Sequence, residues 1–142
     1  MRALLDINVL IAMHDAGHTH HRIARDWLRA NITRGWASCA ITQNGFVRIL
    51  SQPRYPLDIS TSQAITLLAQ ACATPHHTFW SADMSIADAA RIDSSRVHGP
   101  TQVTDLYLLA LAVKNEGRLV TLDGSIPMSA VAGATPEHMV II

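Results

Sequence analysis

The sequence predicts an α/β fold built on a mostly parallel sheet covered by helices on both faces. Two observations carry this. Short apolar runs of strand length alternate along the chain with longer stretches of helical periodicity, the pattern of strands joined by helical crossovers. The last helical stretch, TDLYLLALAVKNEG, is apolar nearly all round, as a helix covered on several sides must be. A chain of 142 residues is long enough to bury a real core and is the size of one domain, so a single domain spanning 1–142 is expected.

The elements follow in order. Residues 2–5 (RALL) read as the first strand and end at Asp6, whose carboxylate can cap the segment that begins at Asn8. Thr19 is placed to cap a helix over HHRIARDWLRAN, with Ile23, Trp27 and Leu28 inward. Residues 36–39 (WASC) form a second strand, and Thr42 is placed to cap TQNGFVRILS, with Phe46, Ile49 and Leu50 inward. Pro53 and Pro56 then break the chain. Ser60 to Ala73 is the next helix and 77–80 (HTFW) the next strand. SIADAARI carries Ser85 and Asp88 at capping-box spacing and predicts a short helix. Thr104 caps the long apolar helix and Gly117 ends it; 118–122 (RLVTL) and 138–142 (HMVII) complete the strands.

Composition narrows the chemistry. At 49% hydrophobic and 15% charged the chain is apolar, yet nothing approaches the ~20 uninterrupted apolar residues of a membrane span. The N-terminus, interrupted by Asp6 and Asn8, does not read as a secretion signal, so a cytoplasmic protein without a membrane role is expected. Cys39 and Cys72 lack metal or redox spacing and read as small buried hydrophobes. The net charge is zero, so nucleic acid is not gripped by bulk electrostatics and any contact is local. Arg22, Arg25 and Arg29, at helical spacing, and Arg48 are the candidate phosphate contacts. Glycine-rich phosphate loops, a nucleophile elbow and an aspartyl-phosphatase pair are all missing.

What remains is acid at strand ends. Asp6 and Asp123 each follow a strand, and Asp105 lies in the first turn of the apolar helix. In parallel sheets such ends meet on one side, where ligands bind. Converging carboxylates repel unless a cation lies between them, and hard oxygen donors without cysteine suit Mg²⁺ or Mn²⁺. Each aspartate also has a local role open to it: Asp6 as a cap, Asp105 as a first-turn acid, Asp123 as the turn residue before Gly124.

The ordered set LLDINVLIA, ITQNGFVRIL, VTDLYLLALA and TLDGSI resembles the PIN domains, and among them the VapC toxins of bacterial toxin–antitoxin pairs, over essentially the whole chain. The resemblance implies a three-layer α/β/α fold and a metal-dependent endoribonuclease that leaves 5′-phosphate and 3′-hydroxyl ends. It implies Asp6, Asp105 and Asp123 as catalytic metal ligands for Mg²⁺ or Mn²⁺, with Asn8 and Thr104 supporting them. The partners implied are an RNA substrate, a cognate VapB-like antitoxin and a second copy of the chain. One position departs: where the family usually has a glutamate early in the second segment, this chain has Gln43 and Asn44, either of which keeps an oxygen but removes a charge. The alternative expectation is therefore a PIN-like module that binds RNA or antitoxin without cutting.

Overall fold

In the computed structural model, which describes residues 1–142, the apolar runs become strands β1 (Ala3–Leu5), β2 (Trp36–Cys39), β3 (His77–Trp80), β4 (Arg118–Thr121) and β5 (Met139–Ile141). All neighbouring pairs are parallel, in the order β3-β2-β1-β4-β5. The sheet is thus wholly parallel. Five helices cover it: α1 (Ile7–His14), α2 (His21–Asn31), α3 (Ala40–Leu50), α4 (Thr61–Cys72) and α5 (Val103–Lys114). No helix is long and apolar enough to cross a membrane.

Strand alternation feeds two cores and makes three layers. Leu4, Ala37 and Leu119 pack with the buried run Leu106–Ala112 of α5. Their neighbours Ala3, Leu5, Trp36 and Val120 face the other way, onto α1, Phe46 and Leu50 of α3, and Ala64 and Leu68 of α4. Because both faces are covered, β1 and β2 contain no exposed residue, which is why neither alternates between apolar and charged positions.

Several boundaries differ from expectation for local reasons. Asp6 does cap a helix, α1, accepting from the Ile7 amide at 2.7 Å, and that helix begins at Ile7 rather than Asn8. Helix α2 starts at His21, not after Thr19, because the His18 amide donates to the Asp15 carbonyl and the His20 amide to His18 Nδ1, which uses residues 15–20 in turns. On α2 the inward stripe is Ala24, Trp27 and Leu28, at i, i+3 and i+4; Ile23 falls on its shoulder and is 49% exposed.

Helix α3 begins at Ala40, and Thr42 is its third residue, closing the turn backwards by accepting from the Cys39 amide at 3.0 Å. Thr104 is not a cap either, since α5 begins at Val103 after Gln102. SIADAARI forms turns instead of a helix. Ser85 Oγ accepts from the Ala87 amide and Asp88 Oδ1 from the Ala90 amide, so these side chains offer the backbone partners that compete with helix formation.

Candidate active site

The winding of the sheet reverses between β1 and β4: from β1 the chain goes out to β2 and β3, then returns to add β4 and β5 on the other side. Such a switch leaves a crevice at the carboxyl ends of the two central strands. Asp6 leaves β1 there and Asp123 leaves β4 there, with the Asp6 amide still bonded to the Val120 carbonyl at 3.0 Å.

Thr121 ties the two strand ends together. Its hydroxyl, fully buried, donates to Asp6 Oδ2 at 2.7 Å and accepts from the Asp123 amide at 3.0 Å and from Asn8 Nδ2 at 3.3 Å. Asn8 Oδ1 in turn accepts from the Leu122 amide at 3.3 Å. Asn8 therefore supports the site through β4. Thr121 was not among the residues singled out from sequence; the only signal it gives there is a hydroxyl at the end of a buried run, two residues before an aspartate.

The three carboxylates differ in environment. Asp6 is 3% exposed, and burial pushes its pKa up, against the hydrogen bonds from Thr121 and Ile7; the nearby Asp123 charge adds to the rise. Asp105, in the first turn of α5, makes no hydrogen bond; burial, then the charges of Asp6 and Asp123, push it up to about 6. Asp123 goes the other way, because the Ser125 amide (2.8 Å) and hydroxyl (2.7 Å) both donate to its Oδ1.

No arginine, lysine or histidine pairs with any of these acids. They feel one another's charge without forming a closed cage: no group of three His, Cys, Asp or Glu side chains is gathered tightly enough to hold an ion as it stands. The donor chemistry nevertheless fits a hard divalent cation. All donors are carboxylate oxygens, one carboxylate is unpartnered, and the mutual repulsion has no protein counter-charge.

Beside the acids lies an open groove of ≈ 850 Å³, lined among others by Ile7, Asn44, Gly45, Arg48 and Thr104. At its wall α1 and α3 pack closely through Gly45, where a Cβ would press on the end of the Ile7 side chain and make it shift. The groove separates the two candidate amides. Asn44 lines it, whereas Gln43 turns into the fold, donating to Ser38 Oγ at 2.9 Å. The arginines separate too. Arg48 lines the groove, Arg25 and Arg29 flank a different hollow beside Met13, and exposed Arg22 lies 3.7 Å from Asp26.

A three-layer α/β/α molecule with acids at the switch point of a parallel sheet is the architecture of PIN domains. The PIN domain family model matches residues 3–133, and the chain belongs to that family. Within it the chain falls in the VapC group: it is 60% identical over 139 residues, 98% of each chain, to Ribonuclease VapC44 of Mycobacterium tuberculosis. Its fold matches the crystal structure of Mycobacterium tuberculosis VapC20, described as a sarcin-ricin loop cleaving toxin, at TM-score 0.63 and 14% identity, covering 94% of this chain and 99% of that one. It also matches VapBC2 from Rickettsia felis, bound to a DNA fragment from its promoter, at TM-score 0.58 and 12% identity over 87% and 89% of the two chains.

Proposed function

We propose that this chain acts as a single-domain, metal-dependent endoribonuclease, the cytoplasmic toxin of a toxin–antitoxin pair, hydrolysing phosphodiester bonds in RNA at the acid end of the sheet. What supports the reading is that Asp6, Asp105 and Asp123 lie near enough at the switch point to feel one another's charge, with no protein counter-cation paired to them. The 60% identity to a named ribonuclease supports it.

Asp6 and Asp105 are the principal holders of Mg²⁺ or Mn²⁺, with Asp123 completing the set. Such an ion, when bound, supplies Lewis-acid stabilisation of charge on the scissile phosphate and lowers the pKa of water. The protein supplies position. Thr121 and Asn8 lock Asp6 and the Asp123 backbone in register. Asp123, held ionised by Ser125, orients a water rather than taking its proton, because a carboxylate held low is a weak base. Asn44 and Thr104 border the path of the substrate, and Arg48 meets a phosphate along the groove.

The antitoxin, a VapB-like protein, silences the site by covering it and supplying the missing positive charge. An apolar hollow lined by Ile41, Ala82, Met84, Ile86, Val103 and Tyr107 supports a protein contact here, with antitoxin or with a second copy of the chain.

The test is cleavage of total RNA by purified protein freed of antitoxin, with Mn²⁺, with Mg²⁺ and with chelator, beside the Asp6→Asn variant. Discrete fragments that require both metal and Asp6 are expected. Intact RNA under all conditions, from folded protein, sinks the nuclease and leaves a binding module.

A further inference from the structure

The end of the sheet opposite the acids carries the reverse charge. Arg2, Arg34 and Arg118 lie at or just before the starts of β1, β2 and β4, and none forms an ion pair. Arg2 is occupied: its Nη1 donates to the carbonyls of Trp36 and His76, at 3.3 and 2.9 Å. Arg34 and Arg118 instead line a hollow of ≈ 420 Å³ together with Glu137 and Val140.

Arg118 is held rigidly. Its Nη2 donates to Asn31 Oδ1 at 3.0 Å, and its guanidinium lies over the Trp27 ring, 5.1 Å from the centroid. Yet its Nε is buried without a hydrogen-bond partner, the only buried side-chain nitrogen or oxygen in the molecule so placed. A buried donor left unpaired is costly, and it sits beside a second guanidinium with no carboxylate bridging the two. Burial and the Arg34 charge both push the Arg118 pKa down, as an uncompensated pair of cations must. The two guanidiniums line one hollow, and neither is paired with a carboxylate.

Glu137 narrows the class of anion that fits there. It lines the same hollow, is exposed and forms no ion pair, so it opposes a bare anion. A phosphate monoester whose attached group donates a hydrogen bond satisfies both signs: guanidiniums take the phosphate oxygens and the carboxylate takes the donor. The hollow falls in the usual size range of small-ligand sites.

We propose that the hollow between Arg34 and Arg118 binds the phosphate of a ribonucleotide, with Glu137 accepting from the ribose hydroxyls. The site is remote from the acids and does not depend on the nuclease reading. A free nucleoside monophosphate and the 5′-phosphorylated end of an RNA present the same chemistry.

The test follows the Arg118 Nε–H resonance by NMR while the full chain is titrated with adenosine 5′-monophosphate, a 5′-phosphorylated dinucleotide, inorganic phosphate or adenosine at constant ionic strength. A saturable shift is expected with the first two and none with adenosine. The tighter of the first two identifies the source of the phosphate. Arg34→Ala, a change at an exposed residue, should weaken binding about tenfold or more, and Arg34→Lys less, since a point charge replaces a fork. Glu137→Ala removes both the like charge and the ribose acceptor, so it should tighten inorganic phosphate and should tighten the nucleotides less or weaken them. Absence of a saturable shift, binding that survives Arg34→Ala, or adenosine binding as well as its monophosphate overturns the proposal; nucleotides tightened by Glu137→Ala as much as inorganic phosphate overturn the ribose contact.

Discussion

Asp105 is the residue on which the pH behaviour of this protein turns. Its carboxyl titrates at about 6 in the fold, against an ordinary value of 3.8. Between those values the folded protein holds a proton that the unfolded chain has released, so this contribution to stability is full below about pH 4 and is lost as pH rises through about 6. Asp6 shifts in the same direction, and Asp123, held low, in the opposite one. Without metal, Asp105→Asn should therefore raise stability near neutral pH by about 1 kcal/mol, a figure reduced because the carboxyl is only half-buried, and flatten the loss above pH 4. Urea denaturation on either side of the titration measures it. A divalent cation should stabilise the parent and not the variant.

Thr121 is the second residue with a sharp consequence. Thr121→Val keeps shape but leaves Asp6 Oδ2, the Asn8 amide and the Asp123 amide short of a partner. A loss of about 2 kcal/mol is expected, with little loss in Thr121→Ser, read from denaturant midpoints. RNA cleavage should fall with the first and persist with the second. The aspartates were legible in the sequence because charge is conspicuous at the end of an apolar run. Thr121 was not, because a hydroxyl there satisfies many local roles, and only the fold shows that two distant side chains, Asp6 and Asn8, share it with the nearby Asp123 amide.

Among the elements, α5 was legible and its ending was not. Gly117 looks like the residue that supplies the left-handed turn, but Glu116 takes that conformation, at φ 54°. The Glu116 amide bonds back to the Val113 carbonyl and the Gly117 amide to Ala112, the double closure of a helix end. Glycine at 117 answers a packing need instead: a Cβ would lie 2.5 Å from the Trp80 ring and 2.7 Å from the Arg2 carbonyl oxygen. Glu116→Gly should therefore stabilise by about 0.5–1 kcal/mol and Gly117→Ala destabilise by about 2 kcal/mol, measured by thermal melting.

Helix α1 shows the opposite kind of illegibility. Residues 9–13 are all buried, so the run has no apolar stripe, and periodicity alone cannot tell such a segment from a strand. Residues 85–92 failed for a third reason: the Ser85 and Asp88 spacing that predicts a capped helix serves equally well to close two isolated turns.

At the scale of the molecule, parallel pairing means that no strand meets its partner through a hairpin. The central strand makes this most acute: Ala3 pairs with Trp36 on one side and with Arg118 on the other. During synthesis β1 emerges first and cannot gain its second neighbour until nearly the whole chain has been made. Asp6 waits with it for Thr121 and Asp123. The acid cluster can therefore form only once the chain has been made through Asp123, and a chain cut short before that point is disarmed by its own topology.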